Sequence, residues 1–149
     1  MNDSYHTQSK AGTAEADDKS IFALLEAAHA LEAKVEAALE RAGLSSPKYS
    51  VLSALVASQR PLSLSELANE LSCVRSNMTQ LVDRLESDGL VRRVHCPNDR
   101  RLVHAEITDE GRARQANGAD EIAQLHRDFS AKVQPDDRAA LERLLSALG

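Results

Sequence analysis

Two clusters of side chains could do chemistry in this sequence, and in both the chemistry is hydrogen bonding to an anionic partner. The first is Arg75-Ser76-Asn77, Thr79-Gln80 and Arg84, short polar groups and arginines within ten positions. The second is Arg92, Arg93, Arg100 and Arg101, four guanidinium groups in a similar span, where Asp99 is the only acid. Arginine forks bind phosphate bidentately, and Ser, Asn, Thr and Gln pair with base edges or backbone oxygens, so both clusters suit nucleic acid. Catalysis has no comparable set. There is no glycine-rich phosphate loop, no nucleophile elbow, and no carboxylate pair or Cys/His set whose spacing demands proximity. The chain therefore reads as a non-enzyme without a cofactor.

The elements that must position these groups follow from local pattern. Ser63-Leu64-Ser65-Glu66 is a capping box that opens a helix with Leu64, Leu67, Ala68 and Leu71 on one stripe. Ser72-Cys73-Val74 is a turn. The next helix starts near Arg75 or Ser76 and turns Met78, Leu81, Val82 and Leu85 inward, so Ser76, Asn77, Thr79, Gln80, Asp83 and Arg84 fan outward. Gly89 suits the left-handed position that ends this helix. Leu90–Val94 reads as a strand, 95–101 as a turn, and Leu102–Ile107 as a second strand with Val103, Ala105 and Ile107 on one face. A helix-turn-helix followed by a hairpin wing results, with Arg100 and Arg101 at a tip shaped for a narrow minor groove.

Flanking segments are helical. Residues 1–18 are polar and are expected to form a disordered tail. From Lys19 to Ala42 the residues Ile21, Leu24, Leu25, Ala28, Leu31, Val35 and Leu39 keep helical spacing, and Gly43 ends the run. So long an apolar stripe exceeds what a small winged core covers, and a second copy of the chain is the economical partner. Ser46-Pro47 opens a helix carrying Tyr49, Val51, Leu52, Leu55 and Val56. Thr108 caps another that should run to about Val133, with Gly118 as a candidate bend, and Pro135 starts an amphipathic last helix. The expected division is a 1–18 tail, a 19–45 dimerisation helix, a 46–108 winged helix-turn-helix and 109–149 C-terminal dimerisation helices. The fold class is mainly α with a small β-wing, a winged helix-turn-helix plus an N- and C-terminal helical dimerisation platform.

Composition agrees with one globular domain. The 149 residues are 42% hydrophobic but only 3% aromatic, so an aliphatic core is expected. The net charge of −5 is unevenly spread: residues 60–104 hold seven arginines against six acids, while the remainder is acidic. Affinity for DNA should then depend on dimerisation and close arginine geometry rather than on a broad basic field. No apolar run approaches a membrane span and no signal peptide is evident, which points to the cytoplasm and to no membrane partner.

From Pro47 to Gly111 the chain resembles the MarR family of winged-helix transcription regulators. The matching pieces are Leu62–Ala68, Ser76–Leu85, Asp88–Arg93, Asp99-Arg100-Arg101 and Ile107–Gly111. The resemblance implies a homodimer on double-stranded DNA, one recognition helix per half-site and a wing arginine in the minor groove. On this reading Arg75, Ser76, Asn77, Thr79, Gln80, Arg84, Arg100 and Arg101 form the DNA-binding set of a repressor that responds to a ligand or to redox state. It also implies a pocket for a small aromatic or phenolic effector, with His29, Lys48, Tyr49 and His126 as its candidate polar groups. Cys73 and Cys96 are candidate redox residues, each weighed against a plain structural role; the first-helix cysteine of peroxide-sensing members is absent from Lys19–Ala42. The five histidines show no metal-ligand spacing. The rival reading is a winged-helix protein–protein adaptor that does not bind specific DNA.

Overall fold

The computed structural model describes residues 12–96 and 99–148, with side-chain surroundings for residues 20–95 and 102–147. The element order is α1 (Gly12–Arg41), α2 (Ser46–Ser58), β1 (Leu62–Ser63), α3 (Leu64–Glu70), α4 (Arg75–Ser87), β2 (Val91–Cys96), β3 (Asp99–Ile107), α5 (Asp109–Lys132) and α6 (Pro135–Leu148). Two compact units divide the chain, Met1–Lys34 and Val35–Gly149.

The first unit holds the N-terminal part of α1. Helix begins at Gly12 rather than at the expected Lys19, so residues 12–18 of the expected disordered tail are helical. Alanines with good helix propensity, and acids near the positive end of the helix, favour this start. The rest of the expected tail lies outside the described residues. Ile21, Phe22, Leu24, Leu25 and Leu31 are 44–64% exposed, so the apolar stripe read from the sequence is present and largely uncovered.

The second unit is built on one aliphatic core. Leu39 and Leu44, Val51, Leu52 and Leu55 of α2, Leu67 of α3, Met78, Val82 and Leu85 of α4, and Leu90, Val91, Ala105 and Ile107 around the sheet are all buried together. Each large side chain in such a core contributes about 1.5–3 kcal/mol relative to exposure. The stripes of α3 and α4 are those expected, with Leu64, Leu71 and Leu81 at their partly covered margins.

Local stops and starts follow from backbone hydrogen bonding. Gly43 (φ +67°) and Gly89 (φ +73°) take left-handed positions after α1 and α4. In each case the next residue bonds back five positions, Leu44 N–H to Leu39 O at 3.0 Å and Leu90 N–H to Leu85 O at 2.9 Å. The turn between α3 and α4 ends α3 in the same way, but with Ser72 (φ +49°) where glycine would be usual. Cys73 N–H donates to Ala68 O at 2.8 Å across it.

The sheet has the order β1-β3-β2 and is antiparallel. β2 and β3 pair from Val91↔Ile107 to His95↔Val103, and the register then shifts so that Cys96 faces Asp99. The strands therefore run into the expected 95–101 turn, which corrects its length; Pro97 and Asn98 lie outside the described residues. β1 was not expected. Its two residues, Leu62 and Ser63, pair with Ala105 and His104 and tie the start of α3 to the wing.

α5 runs through Asn117 and Gly118, the candidate bend, without a break in its helix. A Cβ on Gly118 would stand 2.9 Å from Tyr49 Cδ2 and 3.2 Å from Leu44 Cδ1. That glycine lets α2 pack closely on α5, and packing offsets its low helix propensity.

Candidate nucleic-acid interface

α4 separates its two faces cleanly. Met78, Val82 and Leu85 are buried, whereas Arg75, Ser76, Asn77, Thr79, Gln80 and Arg84 are all exposed. Among the described residues Arg75 and Arg84 enter no ion pair, which leaves both guanidinium groups available to phosphate. Thr79 Oγ1 donates to Arg75 O at 3.1 Å. Its proton is thereby used within the helix, and towards a ligand the hydroxyl is an acceptor.

The acids on the same helix are occupied. Arg93 of β2 donates through Nη2 to Asp83 and through Nη1 to Glu86, and its N–H bonds Glu86 Oε1 at 3.2 Å. The guanidinium pKa is raised, first by the hydrogen bond to Asp83, then by the bond and charge of Glu86 against an opposing desolvation. Arg92 pairs with its cross-strand neighbour Glu106 at 2.5 Å. This corrects the picture of four wing arginines meeting only Asp99, because two of the four are committed to internal partners. Arg93 stitches the wing to α4 and neutralises two carboxylates on the helix that carries the exposed polar set. Sequence reasoning missed this role, since the partners are seven and ten positions apart.

Backbone atoms of Arg100 and Arg101 lie in β3, while their side chains and that of Cys96 are outside the described residues. Lys48 pairs with Asp88 at 2.5 Å, beyond the C-terminus of α4. Tyr49 packs against Gly118, His126 is exposed on α5, and His29 belongs to α1 in the other unit. Two clefts of the second unit take other linings. One of about 490 Å³ lies among Arg41, Gly43, Arg114, Asn117 and Glu121. A smaller apolar one of about 190 Å³ is formed by Pro47, Ser50, Leu71, Cys73, Met78 and Leu81. Cys73 is a free, partly buried thiol whose Sγ lies 3.6 Å from Val74 O.

α3 is fixed to its surroundings by the expected capping box. Glu66 N–H donates to Ser63 Oγ at 3.2 Å, and Ser63 N–H donates to Glu66 Oε2 at 2.8 Å. Arg60 Nη2 donates to the other carboxylate oxygen at 2.8 Å. These bonds, Arg60 first, lower the Glu66 pKa from 4.5 to about 2. A depressed carboxylate contributes stability that is present above its unfolded pKa and lost as pH falls through the folded value. The side chain is 42% exposed, so screening limits this to about 1 kcal/mol. Glu66→Gln keeps an acceptor for Ser63 N–H and removes the charge. Its stability deficit in urea melts is expected at pH 7 and should vanish between pH 4.5 and 2; a deficit independent of pH would contradict this assignment.

A three-stranded wing beside a helix-turn-helix, with a polar recognition face, defines a winged-helix nucleic-acid-binding protein. The model of the MarR family matches residues 44–103. Among curated relatives, the HTH-type transcriptional regulator PecS of Dickeya dadantii (strain 3937) is 32% identical over 104 residues, 68% of this chain and 63% of that protein. This match therefore spans less than two thirds of PecS. The homoprotocatechuate degradative operon repressor of Escherichia coli is 27% identical over 128 residues, 86% of each chain. The crystal structure of Sco3205, a MarR family transcriptional regulator from Streptomyces coelicolor in complex with DNA, superposes with a TM-score of 0.76 at 29% identity. That comparison covers 96% of this chain and 91% of Sco3205. The HTH-type transcriptional regulator YkoM of Bacillus subtilis (strain 168) is 31% identical over 112 residues, 72% of this chain and 69% of that protein. The chain belongs to the MarR family, and its class of function is DNA-binding transcriptional regulation. Among the described residues no helix is long and apolar enough to cross a membrane.

Proposed function

We propose that this protein is a cytoplasmic, homodimeric repressor that places α4 of each protomer in a major groove of a pseudo-palindromic operator. The observation that carries this reading is the exposed polar face of α4 together with the neutralisation of Asp83 and Glu86 by Arg93. Ser76, Asn77, Thr79 and Gln80 face base edges or adjacent phosphates, and Arg75 and Arg84 hold backbone. Arg100 and Arg101 work at the wing, with Arg101 in the minor groove, because the family pattern Asp-x-Arg ends there. Two-fold symmetry sets the half-sites about one helical turn, roughly 10 bp, apart.

The dimer platform comprises residues 19–45 and 109–149. The uncovered apolar residues of α1, together with Leu144 and Leu145 of α6, support this assignment. A small phenolic effector, for which the homoprotocatechuate operon repressor is the supporting relative, would change the spacing of the two recognition helices and so mismatch the half-sites. Oxidation of Cys73 or Cys96 is the alternative input to the same shift, set against a plain structural role for each thiol.

The test is a salt-dependent titration of operator duplex with the parent protein, Arg84→Ala and Arg101→Ala. Arg84→Ala should weaken all duplexes alike and make affinity less sensitive to salt, the logarithmic slope falling by about one for each phosphate no longer held. Arg101→Ala should lower operator affinity by about tenfold or more, with two chains bound per duplex. Unchanged affinity in both variants would overturn the interface and favour an adaptor role.

A further inference from the structure

Val74 is the most exposed large hydrophobic side chain among the described residues, at 66%, and it occupies the N-cap of α4. That position normally takes Ser, Thr, Asp or Asn, whose side chains accept from the first turn. Ser63 caps α3 and Thr108 caps α5 in this way. α2 has the usual residue type, Ser45, at its N-cap but no side-chain cap bond, and there the Glu36 carboxylate accepts from Ser46 N–H at 3.1 Å instead. α4 has no side-chain cap. Valine at this point therefore neither packs nor caps, and it stands beside Arg75, Ser76 and Asn77, where a recognition helix first meets base edges.

We infer that Val74 is a specificity-determining residue whose methyl groups pack against the 5-methyl group of a thymine in the major groove. The inference rests on the reading of α4 as the recognition helix. Thymine methyl is the apolar feature of the major-groove edge, and an apolar side chain at the groove-facing end of α4 is its chemical complement. The contact discriminates by excluding water from two apolar surfaces, and it needs no hydrogen-bond geometry from a residue that can offer none.

The experiment uses an operator selected by the full chain from random duplexes. Each thymine of a half-site is then replaced in turn by deoxyuridine, which lacks only the methyl, and affinities are measured for the parent, Val74→Ala and Val74→Ser. For the parent, one replacement should weaken binding about fourfold per half-site and roughly 15-fold when made in both, the value of one buried methyl each. Val74→Ala should be indifferent to that replacement while keeping its sensitivity elsewhere. Val74→Ser restores a helix cap and should show the same indifference, which separates the contact from helix stability. Parent binding that ignores every replacement, or a sensitivity that survives in both variants, overturns the assignment to Val74. A selection that returns no preferred sequence would overturn the DNA-reading role and the assignment together.

Discussion

Replacing Gly111 with alanine is expected to destabilise the protein by about 3 kcal/mol, lowering its thermal midpoint by roughly 10 °C at fixed protein concentration. Gly111 sits in the first turn of α5, and its N–H donates to the capping Thr108 Oγ1 at 3.0 Å. Thr108 in turn donates through Oγ1 to Gly89 O at 2.7 Å and through its N–H to Leu90 O at 3.1 Å. These bonds pull α5 onto the backbone at the base of the wing. A Cβ on Gly111 would lie 2.0 Å from Leu90 O and 2.8 Å from Ile107 Cγ1. A main-chain carbonyl held at both ends cannot step aside, so the helix must lift off the sheet and break the Thr108 bonds. Gly89→Ala is the control. Its Cβ would meet nothing within 4 Å, and only the left-handed backbone opposes it, at about 1 kcal/mol. Equal, small shifts for the two variants would show that α5 does not seat on Leu90 as described.

The second large effect is on DNA. Arg93→Ala should weaken operator binding on the order of tenfold or more, because it leaves Asp83 and Glu86 as bare carboxylates on the helix proposed to approach phosphate. The same change frees β2 from α4 and should cost about 1–2 kcal/mol of stability, modest because the guanidinium is 29% exposed and its partners more so. The two consequences can be separated. Adding Asp83→Asn and Glu86→Gln to Arg93→Ala removes the unmasked charge without restoring the stitch. If electrostatics dominates, affinity returns in the triple variant. Should affinity stay low while the protein remains folded, Arg93 acts on binding mainly by positioning the wing. Arg93→Lys keeps the charge but not the fork that reaches two carboxylates, so it should fall between parent and alanine. An Arg93→Ala protein with parental affinity and salt dependence would remove Arg93 from the interface account.

Features that were legible in the sequence had local causes. The Ser63–Glu66 capping box, the stops at Gly43 and Gly89, the stripes of α3 and α4, and the alternation of Val103, Ala105 and Ile107 each depend on residues within a turn or two of one another. Ordered along one chain, they also carried the family resemblance. What escaped was long in sequence or too short in pattern. β1 has two residues and shows no period, and it is defined only by its partner some forty positions later. The Arg93 stitch joins a strand to a helix across a turn, so spacing alone left its guanidinium in a run of four wing arginines that met only Asp99. Gly118 read as a weak point because propensity was visible and Tyr49 was not. The polar set proposed to face DNA is exposed on α4, on the side its period gave it.

The most direct test of the account is fluorescence anisotropy of a labelled duplex from the intergenic DNA upstream of the gene, titrated with full-length protein at two salt concentrations beside a scrambled duplex. The account predicts sequence-selective binding that weakens steeply with salt, with two chains per duplex. Equal, weak binding to both duplexes would contradict it.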